Sequence, residues 1–267
     1  MPVRIRATVV LLLLTFGGAT GGVRAQRAPA LDAELYDTSD WLLAGSLLTA
    51  SLVLIPLDDD ARELAVDMRG RTSNGISDIL RPLGRTTELA AVSAATYVVG
   101  RAVSNERVAD FGLHAFVSLA LSNFVTGSLK VVTGRSRPLV LGADSTWARQ
   151  GHDEWDFFGG WHSDGARASY ASGHTSNAFA IATVFAEELG GAAPWIAYPM
   201  AAGVAWSRVN DEAHWASDVV MGALIGIVSG HLVVRHGHRR GGWLERTFLE
   251  PSPTLDRLDV RLQIPAP

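Results

Sequence analysis

The chain has 267 residues, 48% of them apolar, a formal net charge of −4 and no cysteine. That length and composition suit one large domain with a substantial core. They exclude disulfides and thiolate chemistry, and the acidic balance argues against a nucleic-acid partner.

Arg4 and Arg6 precede the apolar run "ATVVLLLLTF", and small residues follow up to "VRA" at Val23–Ala25. A charged start, a short apolar stretch and a small-x-small site predict a secretory signal peptide over residues 1–25. The run is short for a membrane span. The expectation is cleavage near Ala25 and a mature protein outside the cytoplasm, in the periplasm. A helical domain over 26–250 and a tail over 251–267 complete the division.

"WLLAGSLLTASLVLIPL" (Trp41–Leu57) reads as a buried helix ending at Pro56 and the acidic cluster Asp58–Asp60. Two more helical stretches follow, Thr86–Val103 and Val108–Lys130. A polar, Gly-rich segment from about Gly134 to Ser172 interrupts the pattern. Helices are then expected at His174–Leu189, Pro194–Arg208 and His214–His236. Ala, Leu and Val dominate these runs, which exceed usual strand length and are punctuated by Gly or Pro. The fold class expected is all-α: a single-domain bundle of about six core helices, with a site at converging helix ends. The basic run "RHGHRR" (Arg235–Arg240) reads as a solvated helix end. In the tail, Leu255–Ile264 partly alternates apolar and charged residues, the pattern of one short strand.

The apolar runs nearly reach bilayer-spanning length, yet most carry polar residues, and mean hydropathy is only +0.16. With the leader removed, three crossings would put Lys130 and Arg137 on the cytoplasmic face. A water-soluble bundle, or one helix lying along the surface, avoids that result. Soluble and membrane-associated forms both fit.

Three stretches carry the chemistry. Lys130 is the only lysine among 23 basic residues, and Gly134, Arg135, Arg137 and Pro138 follow it where a helix should unwind. Arginine grips phosphate oxygens as a fork, while lysine adds a movable point charge. In "YASGHTSNAF" (Tyr170–Phe179), Ser172 and Gly173 stand where a loop enters a helix. Backbone N–H groups there attract anions, and glycine permits close approach. His174 on the first turn is placed to donate a proton to a departing oxygen. In "WSRVNDEAHWASDVV" (Trp206–Val220), His214 and Asp218 are four apart, which on a helix puts them on one face. Such a carboxylate fixes the tautomer and leaves the far nitrogen free to attack phosphorus. Arg208 adds another fork nearby.

Lys, six residues, Arg-Pro; then Ser-Gly-His; then Ser-Arg, five residues, His, three residues, Asp: this order resembles the signature of the type 2 phosphatidic acid phosphatase / vanadium-dependent haloperoxidase superfamily. The match runs from Lys130 to Asp218, with Ala171 standing where the family usually has proline. The resemblance implies that Lys130, Arg137 and Arg208, with Ser172 and the Gly173 N–H, hold the phosphoryl oxygens. It implies that His214 is the nucleophile, forming a phosphohistidine and oriented by Asp218, and that His174 protonates the leaving group and then activates water. The expected activity is a phosphatase acting on phosphomonoesters or diphosphates without metal or other cofactor. The motifs address only the phosphoryl group, so phosphatidate, undecaprenyl diphosphate, lipid A phosphate and soluble esters all fit. Two other readings remain: a vanadium-dependent haloperoxidase using the same cradle, and a non-catalytic phosphate or lipid-headgroup binder. The loop residues His152, Asp153, Glu154, Asp156, His162 and Asp164 lack dense metal-ligand spacing and read as a polar, aromatic rim.

Overall fold

The computed structural model describes residues 38–141, 154–162 and 165–239. The expected leader, the tail strand and the loop residues His152, Asp153 and Asp164 lie outside them. Among the described residues every regular element is helical: α1 (Thr38–Leu54), α2 (Asp58–Asp67), α3 (Arg71–Leu80), α4 (Thr86–Ala102), α5 (Glu106–Thr133), α6 (Pro138–Leu141), α7 (Gly173–Leu189), α8 (Ala193–Asn210) and α9 (Ala216–Arg239). Six of these are long and form the bundle; α2, α3 and α6 are short and belong to its site-bearing end.

Local chemistry sets the ends. Asn105 caps α5 by accepting from the Val108 N–H, and Gly134 closes it in the left-handed conformation at φ 53°. Ser172 caps α7, accepting from the Thr175 N–H. Pro194 sits in the first turn of α8, where its missing N–H costs nothing.

Helix α9 is central, packed on α7, α1 and α5. Gly222, Gly226 and Gly230, one turn apart, turn toward α7; a Cβ on Gly222 would lie 2.6 Å from the Ser172 carbonyl oxygen. The missing side chains let the two backbones approach closely, as small residues do between membrane helices. Phe179, Val204, Val219, Val220 and Ile227 fill the main core.

Two expectations need correction. The first helix ends at Leu54 beside Pro56 as expected, but the acidic cluster is not a stop: one 3₁₀ turn spans Ile55–Leu57, and α2 begins at Asp58. Proline removes one donor and is tolerated in a first turn, so the chain is only interrupted there. Nor is α1 buried, because only its face toward α9 is covered. Leu47, Ser51 and Leu54 are buried, whereas Trp41, Leu42, Leu48, Leu52 and Val53 are exposed.

Arg235, which opens the basic run at the end of α9, differs from the reading of that run as a solvated terminus, while Arg240 lies outside the described residues. Arg235 is part-buried and pairs with Asp40 and, at 3.4 Å, with Glu187. His231 meets Glu187 at 2.8 Å and His114 meets Glu188 at 2.5 Å. These pairs tie α1, α5, α7 and α9 together at one end of the bundle. Lys130, Ser172, Arg208 and His214 all belong to the other end. Among the described residues three stretches, Thr38–Asp67, Glu106–Leu141 and Ala216–Gly237, are long and apolar enough to cross a membrane by length and composition.

Candidate active site

Gly134 turns the chain in the left-handed conformation after the last turn of α5, and Arg135, Ser136 and Arg137 follow outside any helix. Lys130 donates from Nζ to the Ala168 carbonyl at 2.6 Å. Arg137 donates from Nε to the Gly165 carbonyl at 2.9 Å and from Nη1 to the Ala213 carbonyl at 3.2 Å. Arg208, at the end of α8, is buried and touches Asp211 at 3.2 Å, while its Nε has no hydrogen-bond partner among the described residues. Three cations from three segments are thus held by neutral carbonyls or a single carboxylate, leaving much of their charge uncompensated.

Between them stands the start of α7. The Ser172 hydroxyl accepts from the Thr175 backbone at 3.4 Å and from the Thr175 hydroxyl at 3.0 Å. The Ser172 N–H donates to the Asp218 carbonyl at 3.0 Å, joining the two helix starts. A Cβ on Gly173 would meet nothing within 4 Å. The N–H groups that open the helix therefore face room for a ligand.

His214 is buried and does not lie on α9, as its spacing to Asp218 predicted. The helix begins at Ala216, because the Asp218 carboxylate accepts from the Trp215 N–H at 3.0 Å and terminates the helix there. The imidazole instead occupies the turn before it, its N–H backbone donating to the Arg208 carbonyl at 3.3 Å. His214 Nδ1 faces Asp218 Oδ2 at 3.5 Å, close enough for ion pairing and longer than an ordinary hydrogen bond.

Both imidazoles feel the cations. Burial, with the charges of Arg208, Lys130, Arg137 and Arg85, pushes the His174 pKa down to about 4. Burial pushes His214 down to about 3 against the favourable Asp218 contact, and Lys130 and Arg137 add to the depression. Both rings are neutral near pH 7, and the structure brings His174, His214 and the cations within one electrostatic neighbourhood.

Sequence reasoning gave no role to the residues that fix Asp218. Arg135 is 0% exposed. It donates to Asp218 Oδ1 at 2.8 Å, to the Ser217 hydroxyl at 2.7 Å, to Asp58 Oδ2 at 2.7 Å and to Glu154 Oε1 at 2.7 Å. Its guanidinium lies over Trp155 at 4.5 Å and Trp215 at 5.1 Å. The Ser169 hydroxyl donates to Asp218 Oδ2 at 2.5 Å. Asp58, read from the sequence as a helix terminator, is buried and accepts from the Ser217 N–H at 2.9 Å. The available signal was a carboxylate directly after an apolar run, a placement that demands a partner. Of the loop acids, Glu154 serves Arg135 and Asp156 pairs with Arg167.

The fold and site define a helical-bundle protein whose converging ends bring Lys130, Arg137, Arg208, His174 and His214 into one cationic, histidine-bearing cluster. Residues 111–241, which span Lys130 to Asp218, match the family model described as the PAP2 superfamily. The resemblance read from the three motifs therefore holds.

A lipid A 1-phosphatase of Porphyromonas gingivalis is 47% identical over 79 residues, covering 28% of this chain and 18% of that protein. The matched segment is thus under a fifth of that relative's length. The crystal structure of Aquifex aeolicus LpxE superposes with a TM-score of 0.50 at 22% identity, covering 67% of this chain and 95% of that one. That likeness is one of fold.

Proposed function

We propose that this protein is a lipid phosphate phosphatase that works through a phosphohistidine and needs no metal. The observation that carries this reading is the pairing of a neutral, buried His214 with a carboxylate fixed on its other side, beside three incompletely neutralised cations. A binding protein needs the cations alone; the oriented imidazole is surplus to binding.

Lys130, Arg137 and Arg208 hold the phosphoryl oxygens with the N–H groups that open α7. The Nε2 of His214 attacks phosphorus, the bond to the leaving oxygen breaks, and His174 gives that oxygen a proton. His174 then takes a proton from the water that attacks the phosphohistidine, releasing phosphate and restoring His214. In the free site His174 is neutral; a phosphate dianion placed against it offsets the surrounding cations and supplies the conditions for it to be protonated. Asp218 holds the charge that develops on His214.

The lipid substrate is supported by the three apolar helices and by the lipid A 1-phosphatase relative. Lipid A-type phosphate is the substrate favoured among lipid phosphates. We place the site outside the cytoplasm. The chain enters α1 at the end opposite the site, so such a site leaves Thr38 on the cytoplasmic side. Arg4, Arg6, Arg24 and Arg27 precede α1 and favour that orientation.

His214→Ala should abolish phosphate release from a lipid phosphate while leaving the helical content intact. Undiminished turnover in that variant would refute the assignment.

A further inference from the structure

An unassigned aromatic loop lies beside the site. Phe157, Phe158 and Trp161 are 67%, 68% and 73% exposed. The loop is not loosely attached. Glu154 bonds Arg135, Trp155 packs over Arg135 and near Tyr170, and Phe157 stacks on Trp155 at 6.4 Å between ring centroids. The Phe158 N–H donates to the Val132 carbonyl on α5 at 2.9 Å. The Arg135 network therefore anchors the loop's base while three large rings are exposed.

What covers those rings follows from α5. Phe116, Ala120, Phe124, Ser128 and Val132 recur every fourth residue and all are exposed. They form one nearly apolar stripe along a helix long enough to cross a membrane. The loop is fastened to the last residue of that stripe. A lipid-facing surface that ends in clustered aromatic rings at the level of a polar site matches the interfacial belt, where such rings sit at the headgroup boundary.

We propose that Phe157, Phe158 and Trp161 insert into the headgroup–acyl boundary of the leaflet on the site's side, holding the pocket mouth at the depth of a lipid phosphate. This rests on the lipid phosphatase reading and adds the surface that presents the substrate. The rings touch the bilayer rather than the reacting phosphoryl group.

The absence of cysteine makes a direct test simple. Phe158→Cys and, as a water-exposed control, Asp60→Cys are each spin-labelled in the full chain reconstituted in phosphatidylglycerol/phosphatidylethanolamine vesicles. The label at 158 should be more accessible to oxygen than to a water-soluble nickel chelate, and the label at 60 the reverse. Equal chelate access at both sites would overturn the proposal. Spin–spin broadening at 158 that grows with protein-to-lipid ratio would also overturn it, assigning the rings to a second copy of the chain.

A second measurement uses Phe157→Ser, Phe158→Ser and Trp161→Ser combined. Turnover of a long-chain lipid phosphate in vesicles should fall on the order of tenfold, with p-nitrophenyl phosphate turnover in the same vesicles unchanged. Equal losses on both substrates, or none on either, would count against insertion. A wild-type protein that cleaves neither substrate would defeat the phosphatase reading, and the label depth would still decide the membrane contact.

Discussion

Arg135 donates to Asp218 Oδ1 at 2.8 Å, and the opposite oxygen of that carboxylate stands 3.5 Å from His214 Nδ1. A fully buried guanidinium thus reaches the imidazole through one acid. Asp218→Asn should lower kcat on the order of 10³-fold or more and change KM far less, as removing the orienting acid does in related triads. Arg135→Lys keeps the charge and loses the fork, so kcat should fall with a smaller loss of stability. Arg135→Ala strands Asp58 and Asp218 and should cost about 3–5 kcal/mol of folding stability. Steady-state kinetics with thermal unfolding separates these outcomes; an Arg135→Lys enzyme with wild-type kcat would show that the fork is dispensable.

Acid stability follows from the two depressed histidines. Their folded pKa values, about 4 for His174 and about 3 for His214, lie below the unfolded value of 6.5. Their neutral forms cost nothing above pH 6.5. Below it the unfolded chain binds protons that the folded chain refuses, so stability falls at up to about 1.4 kcal/mol per pH unit for each ring, less for the half-buried His174. The melting temperature should drop between pH 6.5 and 4, and inorganic phosphate should reduce that drop by offsetting the cations. A His174→Ala, His214→Ala double variant with the same pH slope as wild type would contradict this origin.

Close packing of α9 on α7 predicts contrasting glycine substitutions. Gly222→Ala puts a methyl 2.6 Å from the Ser172 carbonyl and must displace the start of α7. Its melting temperature and kcat should both fall. Gly127→Ala, in the same bundle but with nothing within 4 Å of the added carbon, should instead stabilise α5 by about 0.5–1 kcal/mol. If the two substitutions behaved alike, the helix contact would be looser than described.

The two ends of α1–α2 report the bundle's orientation. In intact cells a membrane-impermeant maleimide should label Asp60→Cys, and should label Thr38→Cys only after permeabilisation. Labelling of both without permeabilisation would mean that no bilayer separates the ends.

The three motifs were legible because each places a distinctive residue type at a helix end, where side chains are forced toward a common pocket. Long apolar runs bounded by Gly or Pro likewise marked the six long helices. What escaped was set by tertiary partners. Asp58 looks like a helix stop until Ser217 and Arg135 close around it. Arg135 looks like its neighbour Arg137, and only burial tells the positioning arginine from one facing the pocket. Helix α3, "RTSNGISDIL", has a glycine and few strong helix formers, so packing on α8 supplies what propensity does not. The exposure of α1 was hidden because an apolar helix reads the same whether protein or lipid covers it.

The hydrogen bond from the Ser172 N–H to the Asp218 carbonyl has a mechanical result. The first turn of α7 and the acid that faces His214 are riveted at one joint, so they travel as a single jaw. Tilting of the long helices therefore leaves the spacing between Ser172 and Asp218 unchanged.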